Sequence, residues 1–492
     1  LGQYLGGIDP ATPLFGRFLT GITAQLEGGG LVRLDVGLGE SPAPPAALAE
    51  DQRRIGTLLA SATRFKVVLH GAGATRPVLV QAGPAPEAQL VPITVRAGEP
   101  HPDAPRAGRS DKGVGIACGP LSVVAEPDGT VLIEDRRLPF GPVRANDLVD
   151  EGDRGDLYHF DPAGTPVRAR VARARVVEEG PVRARLLVEQ ELELPLALSA
   201  DRSGRSPVTR PTLITTEITL VAGERRVELT TTFDNQVADH RLRALVHAPL
   251  CAERLDAHQG LAVIARPLDP AAALGAGTER AAPTGQHHLF VDISDGVSGV
   301  ALESRGLPEH EVLREEDRST RLALTLLRAV GWLSRGDLSV IDHAAGPMIP
   351  TPGAQEPGLH RFEYALVLHQ GDYQKGRVLA DAQRFAAPAT AVTPKGKHPV
   401  SPRPLVELGP ETIALSALYP SDKGGTVVRI LNASPEPSLA TLTCSFPLAE
   451  AIEIDPLEQP LQTTRLERKG ASLRLPLRPW ELATILLRSK AC

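Results

Sequence analysis

Two stretches of this chain alternate apolar and polar side chains for longer than any helix pattern allows. In VRARLLVEQELELPL, residues 182–196, Val182, Ala184, Leu186 and Val188 point one way, while Arg183, Arg185 and Glu189 point the other. In TLITTEITLVAGERRVELTTTFDNQ, residues 212–236, Ile214, Thr216, Ile218 and Leu220 face Val227, Leu229, Thr231 and Phe233 across a turn at Ala222-Gly223. Strands this long with one polar face demand a second layer over the apolar face, so they predict large antiparallel sheets in a sandwich.

The pattern extends in both directions. Leu121–Val124 and Val131–Ile133 flank Pro127-Asp128-Gly129, a hairpin turn tolerant of positive φ. HHLFVDIS, GVSGVALES, STRLALTLLRAV and HRFEYALVLHQ continue it, and ETIALSALYP, GTVVRILNAS, LATLTCSFP, SLRLPLRP and ELATILLRS give five short strands at the end, enough for a terminal sandwich. FKVVLH, PVLVQA and LVPITV read as short strands near the front. Ala47–Ala60 is the best helix candidate, and Ala380–Thr390 is a short helix or a crossing segment. With 46 glycines and 45 prolines in 492 residues, long helices are disfavoured and turns favoured. The expected fold is therefore mainly β: antiparallel sandwiches in series, one of them very large, with a small helical element near the N-terminus. The expected divisions are a poorly readable, partly helical 1–63, a small β-rich region and linker at 64–112, a large sandwich at 113–390, and a C-terminal sandwich at 391–492 entered through the proline-rich TPKGKHPVSPRP.

Several classes of function are disfavoured. A net charge of −6 argues against nucleic-acid binding, and the apolar runs are too short to span a membrane. Cys118, Cys251, Cys444 and Cys492 have no close spacing, so neither a disulfide framework nor a thiolate metal site is expected, and a reducing, cytoplasmic setting is the expectation. The chain opens at Leu1 and has one methionine, Met348, which suggests a fragment of a longer protein. No phosphate loop, dinucleotide fingerprint, zinc-protease helix or nucleophile elbow occurs. His287 and His288, adjacent on a strand, face opposite sides and are poorly placed to share a metal. Asp292–Glu303 has the length of a calcium loop, but its glycine falls one position early and a tight turn is the better reading.

Two segments stand out chemically. Asp150–Phe160 packs charged groups, Tyr158, His159 and Phe160 into one loop, the mixture that sugar sites use: charged groups bind hydroxyls and an aromatic face packs on ring C–H groups. The residues are equally those of a solvated loop with an internal ion pair. Gly331–Leu338 carries Trp332 and Arg335 and leads into the long loop GPMIPTPGAQEPG, after which His360 re-enters a strand through Phe362 and Tyr364. Trp332 plugging a core edge explains that segment as well.

GDRGDLYHF, VVEEGPVRARLLVE, ITLVAGERRVEL, FDNQVADHRLR, FVDISDGVSGVAL, GLPEHEV, LTLLRAVGWLSRGDL, TPGAQEPGLHRFEYAL and LRPWELATILLR, in this order over about 152–488, resemble the middle and C-terminal regions of glycoside hydrolase family 38, the zinc-dependent α-mannosidases, bacterial members most. The resemblance implies a β/α barrel and helical bundle followed by sandwiches, one a supersandwich. It implies a retaining enzyme in which zinc grips mannose hydroxyls, an aspartate attacks the anomeric carbon and a second carboxylate protonates the leaving oxygen. The zinc ligands and nucleophile belong to the barrel, so no catalytic or metal residue is assigned here, and zinc is expected only in the full-length enzyme. Substrate contacts are expected from Tyr158, Arg335 and Asp156, and the partner is an α-mannoside. Two alternatives remain: a mannosylglycerate-type hydrolase of the same family, and a stand-alone carbohydrate-binding or scaffolding module. Exposed edges of large sheets also leave a homo-oligomer open.

Overall fold

The computed structural model describes residues 18–27, 31–39, 64–71, 102–110, 113–268, 282–341, 343–388 and 404–489. The expected helix at Ala47–Ala60, the strands PVLVQA and LVPITV and most of the linker TPKGKHPVSPRP lie outside these residues. The chain divides into two compact units, Leu1–Val80 and Gln81–Cys492. In the first, Phe18–Glu27 pairs antiparallel with Leu31–Gly39, which pairs parallel with Arg64–Gly71. Two strands thus stand inside the segment 1–63 that was expected to be partly helical, and they share a sheet with FKVVLH.

The second unit is built around a supersandwich. One sheet has nine strands, ordered Val171–Glu179, Arg183–Pro195, Thr209–Val221, Arg226–Asn235, Gly358–Gln370, Ser298–Ser304, Phe290–Ser294, Arg254–His258 and Val263–Arg266. The other has ten: Thr284–Gln286, Glu309–Arg314, Thr320–Ala329, His240–Ala248, Val143–Asp153, Val131–Asp135, Leu121–Ala125, Gly113–Cys118 and Arg106–Ser110, with Pro162–Val167 paired to Val143–Asp153. The sandwich therefore takes in Arg106–Ser110, within the region expected to be a linker. One apolar core joins the sheets, with Ala184, Leu186, Val188 and Ile218 facing Val123, Ile133, Leu242 and Leu324. The alternation that predicted the long hairpin is the observed register: Thr216 lies opposite Thr231 and Ile218 opposite Leu229. Asp295–Val297 is the expected tight turn, with Gly296 at φ 84°.

Helix Val378–Ala386 covers part of the outer face of the nine-stranded sheet, setting Val378 and Ala382 against Phe290, Ala301 and Val367. Its Asp381 receives Arg225 Nε at 2.6 Å and Arg226 Nη1 at 2.7 Å. Beyond it, two four-stranded sheets enclose a separate core of Val406, Val428, Ile430, Leu442, Leu475 and Ile485, eight strands where five were expected. Among the described residues no helix is long and apolar enough to cross a membrane.

Candidate functional site

Loops leaving three strand ends of the ten-stranded sheet meet at one rim. Strand Val143–Asp153 ends at Asp153, and the chain loops through 154–161 before returning as Pro162–Val167 alongside the same strand. Asp153 closes this loop. Its Oδ1 accepts the N–H of Gly155 at 2.8 Å and of Asp161 at 3.3 Å, and its Oδ2 accepts Arg328 Nε at 2.7 Å. Arg328 Nη2 donates onward to the carbonyls of Asp156, at 2.6 Å, and His159. Burial pushes the Asp153 carboxyl above its usual range, against the pull of Arg328. Gly155 is required sterically, because a Cβ there would lie 1.9 Å from the His159 carbonyl oxygen.

Asp156 and Asp161 tie this loop to the second, which starts after strand Thr320–Ala329. Asp156 is fully buried. Its Oδ1 accepts the backbone N–H of Tyr158 at 2.9 Å and of His159 at 2.8 Å and lies 3.1 Å from His159 Nδ1; its Oδ2 accepts the N–H of Arg335 at 2.8 Å. Asp161 accepts Arg154 Nε at 2.8 Å together with the N–H of Ser339 at 2.8 Å and its Oγ at 2.5 Å. Leu157 N–H donates to the Trp332 carbonyl at 3.0 Å, a direct backbone link between the loops.

The third loop, between Asn235 and His240, pins the far end of the second. Asn235 Nδ2 donates to the carbonyls of Gln355 and Glu356, both at 3.0 Å, and Gln355 exchanges two hydrogen bonds with Asp239. His240, fully buried, bridges Asp150 Oδ2 at 2.5 Å and Asn235 Oδ1 at 3.1 Å. The long loop GPMIPTPGAQEPG thus has structure of its own, including a 3-10 turn at Pro352–Gln355 and a bridge from Pro350 to Trp332.

The structure brings the three expected residues together. Tyr158 is the exposed one, with 57% of its surface open. Arg335 is largely covered, its side chain 17% exposed: it chelates Asp337 through Nε at 2.7 Å and Nη2 at 2.6 Å, and its guanidinium lies 4.8 Å from the Trp332 ring centre. The Arg335 guanidinium holds the Asp337 carboxyl below the usual carboxylate range. Asp156, expected at the sugar, is buried in the wall, with both oxygens engaged by backbone N–H groups of the Tyr158, His159 and Arg335 segments.

A cleft of about 370 Å³ borders the same loop, lined in part by Glu151, Tyr158, His159, Phe160, Arg241 and Glu309. Arg241 is buried under Phe160, its guanidinium 3.4 Å from the ring centre. Arg241 Nη2 lies 3.1 Å from Glu151; Arg243 joins Glu151, at 2.8 Å, to Glu311. Sequence reading passed over Arg328, Asp161, Ser339 and this ion network, because their partners lie far away along the chain. Among the described residues, no three His, Cys, Asp or Glu side chains stand together so as to hold a metal ion.

The model of the glycosyl hydrolases family 38 C-terminal domain matches residues 144–337, and that of the family 38 C-terminal beta sandwich domain matches 412–485. A putative mannosylglycerate hydrolase of Halalkalibacterium halodurans is 25% identical over 390 residues, covering 74% of this chain and 40% of that protein. Alpha-mannosidase 2C1 of Mus musculus is 26% identical over 204 residues, covering 41% of this chain and 17% of that protein. The chain thus spans well under half the length of these relatives. The crystal structure of an alpha-mannosidase from Enterococcus faecalis V583 superposes with a TM-score of 0.65 at 24% identity, over 79% of this chain and 43% of that one, a likeness of fold. The loops at Tyr158 and Arg335 both fall inside the first matched region, and the separate eight-stranded core is the second: the chain belongs to glycosyl hydrolase family 38 and carries its C-terminal domains.

Proposed function

We propose that this chain is the C-terminal portion of a retaining α-mannosidase, and that the rim bearing Tyr158 and Arg335 is a wall of its sugar pocket. The observation that carries the reading is Asp156, whose two oxygens hold the Tyr158 and Arg335 segments side by side. That clamp sets an exposed tyrosine ring and a guanidinium on neighbouring segments, groups that can bind hydroxyls and face sugar C–H groups. Relatives named as mannosidases and as a putative mannosylglycerate hydrolase support an α-linked mannoside as substrate. The described residues do not fit a zinc site. In this reading the metal and the nucleophile belong to a catalytic barrel outside them, and the chain by itself does not turn over substrate.

A stand-alone carbohydrate-binding module is the competing reading, and the coding DNA upstream of Leu1 separates the two. An open frame encoding a barrel rich in Asp and His supports the enzyme. The protein expressed from that frame should hydrolyse an aryl α-mannoside, and Tyr158→Phe should reduce kcat/KM at least tenfold with an unchanged melting temperature. A start codon near Leu1, or full activity in Tyr158→Phe, overturns the pocket role.

A further inference from the structure

In the wall of the cleft beside Tyr158, sealed under Glu309, lies a donor with unused bonding capacity. The side chain of Arg241 is 2% exposed, and its Nε and Nη2 donate to Glu151 Oε2 at 3.3 and 3.1 Å. Its Nη1 has no hydrogen-bond partner among the described residues. Glu309 Oε1 stands 3.5 Å from Arg241, beyond a good hydrogen bond for an otherwise empty donor, and accepts Thr325 Oγ1 at 2.6 Å instead. A buried guanidinium N–H without an acceptor is uncommon, since such groups are ordinarily satisfied. Glu309 is the outward member of the pair, with 31% of its side chain exposed to the cleft.

The charges around this pair select the chemistry of a ligand. Glu151, Glu309 and Glu311 outnumber Arg241 and Arg243, and Arg328 is taken by Asp153, so an anion is repelled. A cation would meet two guanidiniums. A hydroxyl suits both partners at once: its oxygen accepts from Arg241 Nη1 while its O–H donates to Glu309. The exposed ring of Tyr158 supplies an aromatic face on the same border, and the volume falls in the range of small-molecule sites.

We propose that this cleft is a second carbohydrate subsite for an uncharged pyranose, whose adjacent hydroxyls bridge Arg241 and Glu309 as Glu309 swings outward. It rests on the α-mannoside reading only for the choice of sugar. In that arrangement Tyr158 stands between two sugar positions, and Arg241 and Glu309 select the sugar unit adjoining the mannose at the rim.

The test is ligand-observed saturation-transfer NMR on the 492-residue chain, with methyl α-D-mannopyranoside as probe and D-glycerate as the anionic alternative. Saturation transfer to the mannoside is expected, with an apparent affinity at least fivefold weaker in Glu309→Gln and in Arg241→Lys and unchanged in Glu467→Gln, on a remote edge strand. Should Arg241→Lys fail to fold, Glu309→Gln, at a partly exposed position, decides alone. No transfer at roughly 20 mM mannoside, weaker than the millimolar affinities of ordinary specific binding, equal transfer in Glu309→Gln, or stronger transfer to D-glycerate would each overturn the subsite. Binding without hydrolysis by the longer protein would sink the mannosidase reading and leave the subsite standing. Hydrolysis that depends on Tyr158, with no effect of Glu309→Gln on binding, would do the reverse.

Discussion

Asp156 Oδ2 accepts the backbone N–H of Arg335 at 2.8 Å, across 179 residues of chain. The same carboxylate holds the N–H groups of Tyr158 and His159. An asparagine can keep only one of the two acceptor positions and would turn a donor against the other. Asp156→Asn should therefore destabilise the chain by about 1–3 kcal/mol, the cost of leaving a buried donor unsatisfied. Urea denaturation measures it; an unchanged midpoint would mean that the clamp does not hold the rim.

Gly155→Ala tests the same rim by steric means. With the Cβ position 1.9 Å from a backbone oxygen, the loop must shift rather than repack. A loss of about 1–3 kcal/mol is expected, as for other overpacked sites, accompanied by faster proteolytic cutting within 154–161. Wild-type cutting rates and melting temperature in the variant would contradict the close approach.

Leu186 sits at the centre of the supersandwich, with no exposed surface. Leu186→Ala should cost roughly 2–5 kcal/mol through lost transfer energy and the cavity left behind, read as a drop in the chemical-denaturation midpoint. A loss under half a kcal/mol, well below the usual ~2 kcal/mol floor for such sites, would place this face of the strand outside the core.

Acid should weaken the region around the buried imidazoles. Burial pushes His287 down to about 3 and His258 and His310 down to about 4. The unfolded chain binds protons from about pH 6.5 downward while these rings stay neutral in the fold, so their contribution is complete above that pH and is lost on acidification. The slope is about 1.4 kcal/mol per pH unit for each ring. Asp292, raised to about 6 by burial beside His369, has the opposite sign: its own contribution declines as pH rises toward 6. The informative measurement is thus a comparison. Between pH 7 and pH 5 the melting temperature of His310→Asn should fall less than that of the wild type, and parallel curves would show that His310 does not stay neutral.

What could be read from the residues depended on whether a strand has one buried face. Arg183–Pro195 and Thr209–Val221 alternate because their outer faces meet solvent, and for Thr209–Val221 the hairpin partner and register followed from that. His240–Ala248 is buried almost throughout, since Arg241 and Arg243 are covered on the outer face while Leu242 and Ala244 fill the core, so no alternation marks it. The rim was legible only in part. Charge and aromatic density marked 150–160 and 331–338 separately, but nothing local joins residues whose contacts close over more than a hundred and seventy positions. Asp156 was noticed for its charge and placed at the sugar; its carboxylate is held between two loops far apart in sequence, which no single segment announces.

Asp156 grips main-chain N–H groups at Tyr158 and Arg335, not their side chains. Whatever amino acid other than proline stands at either place, the same peptide N–H groups remain to be held. The rim is in this sense a socket with exchangeable fittings: recognition can drift through changes at 158 and 335 while the underlying lattice of loops stays as it is.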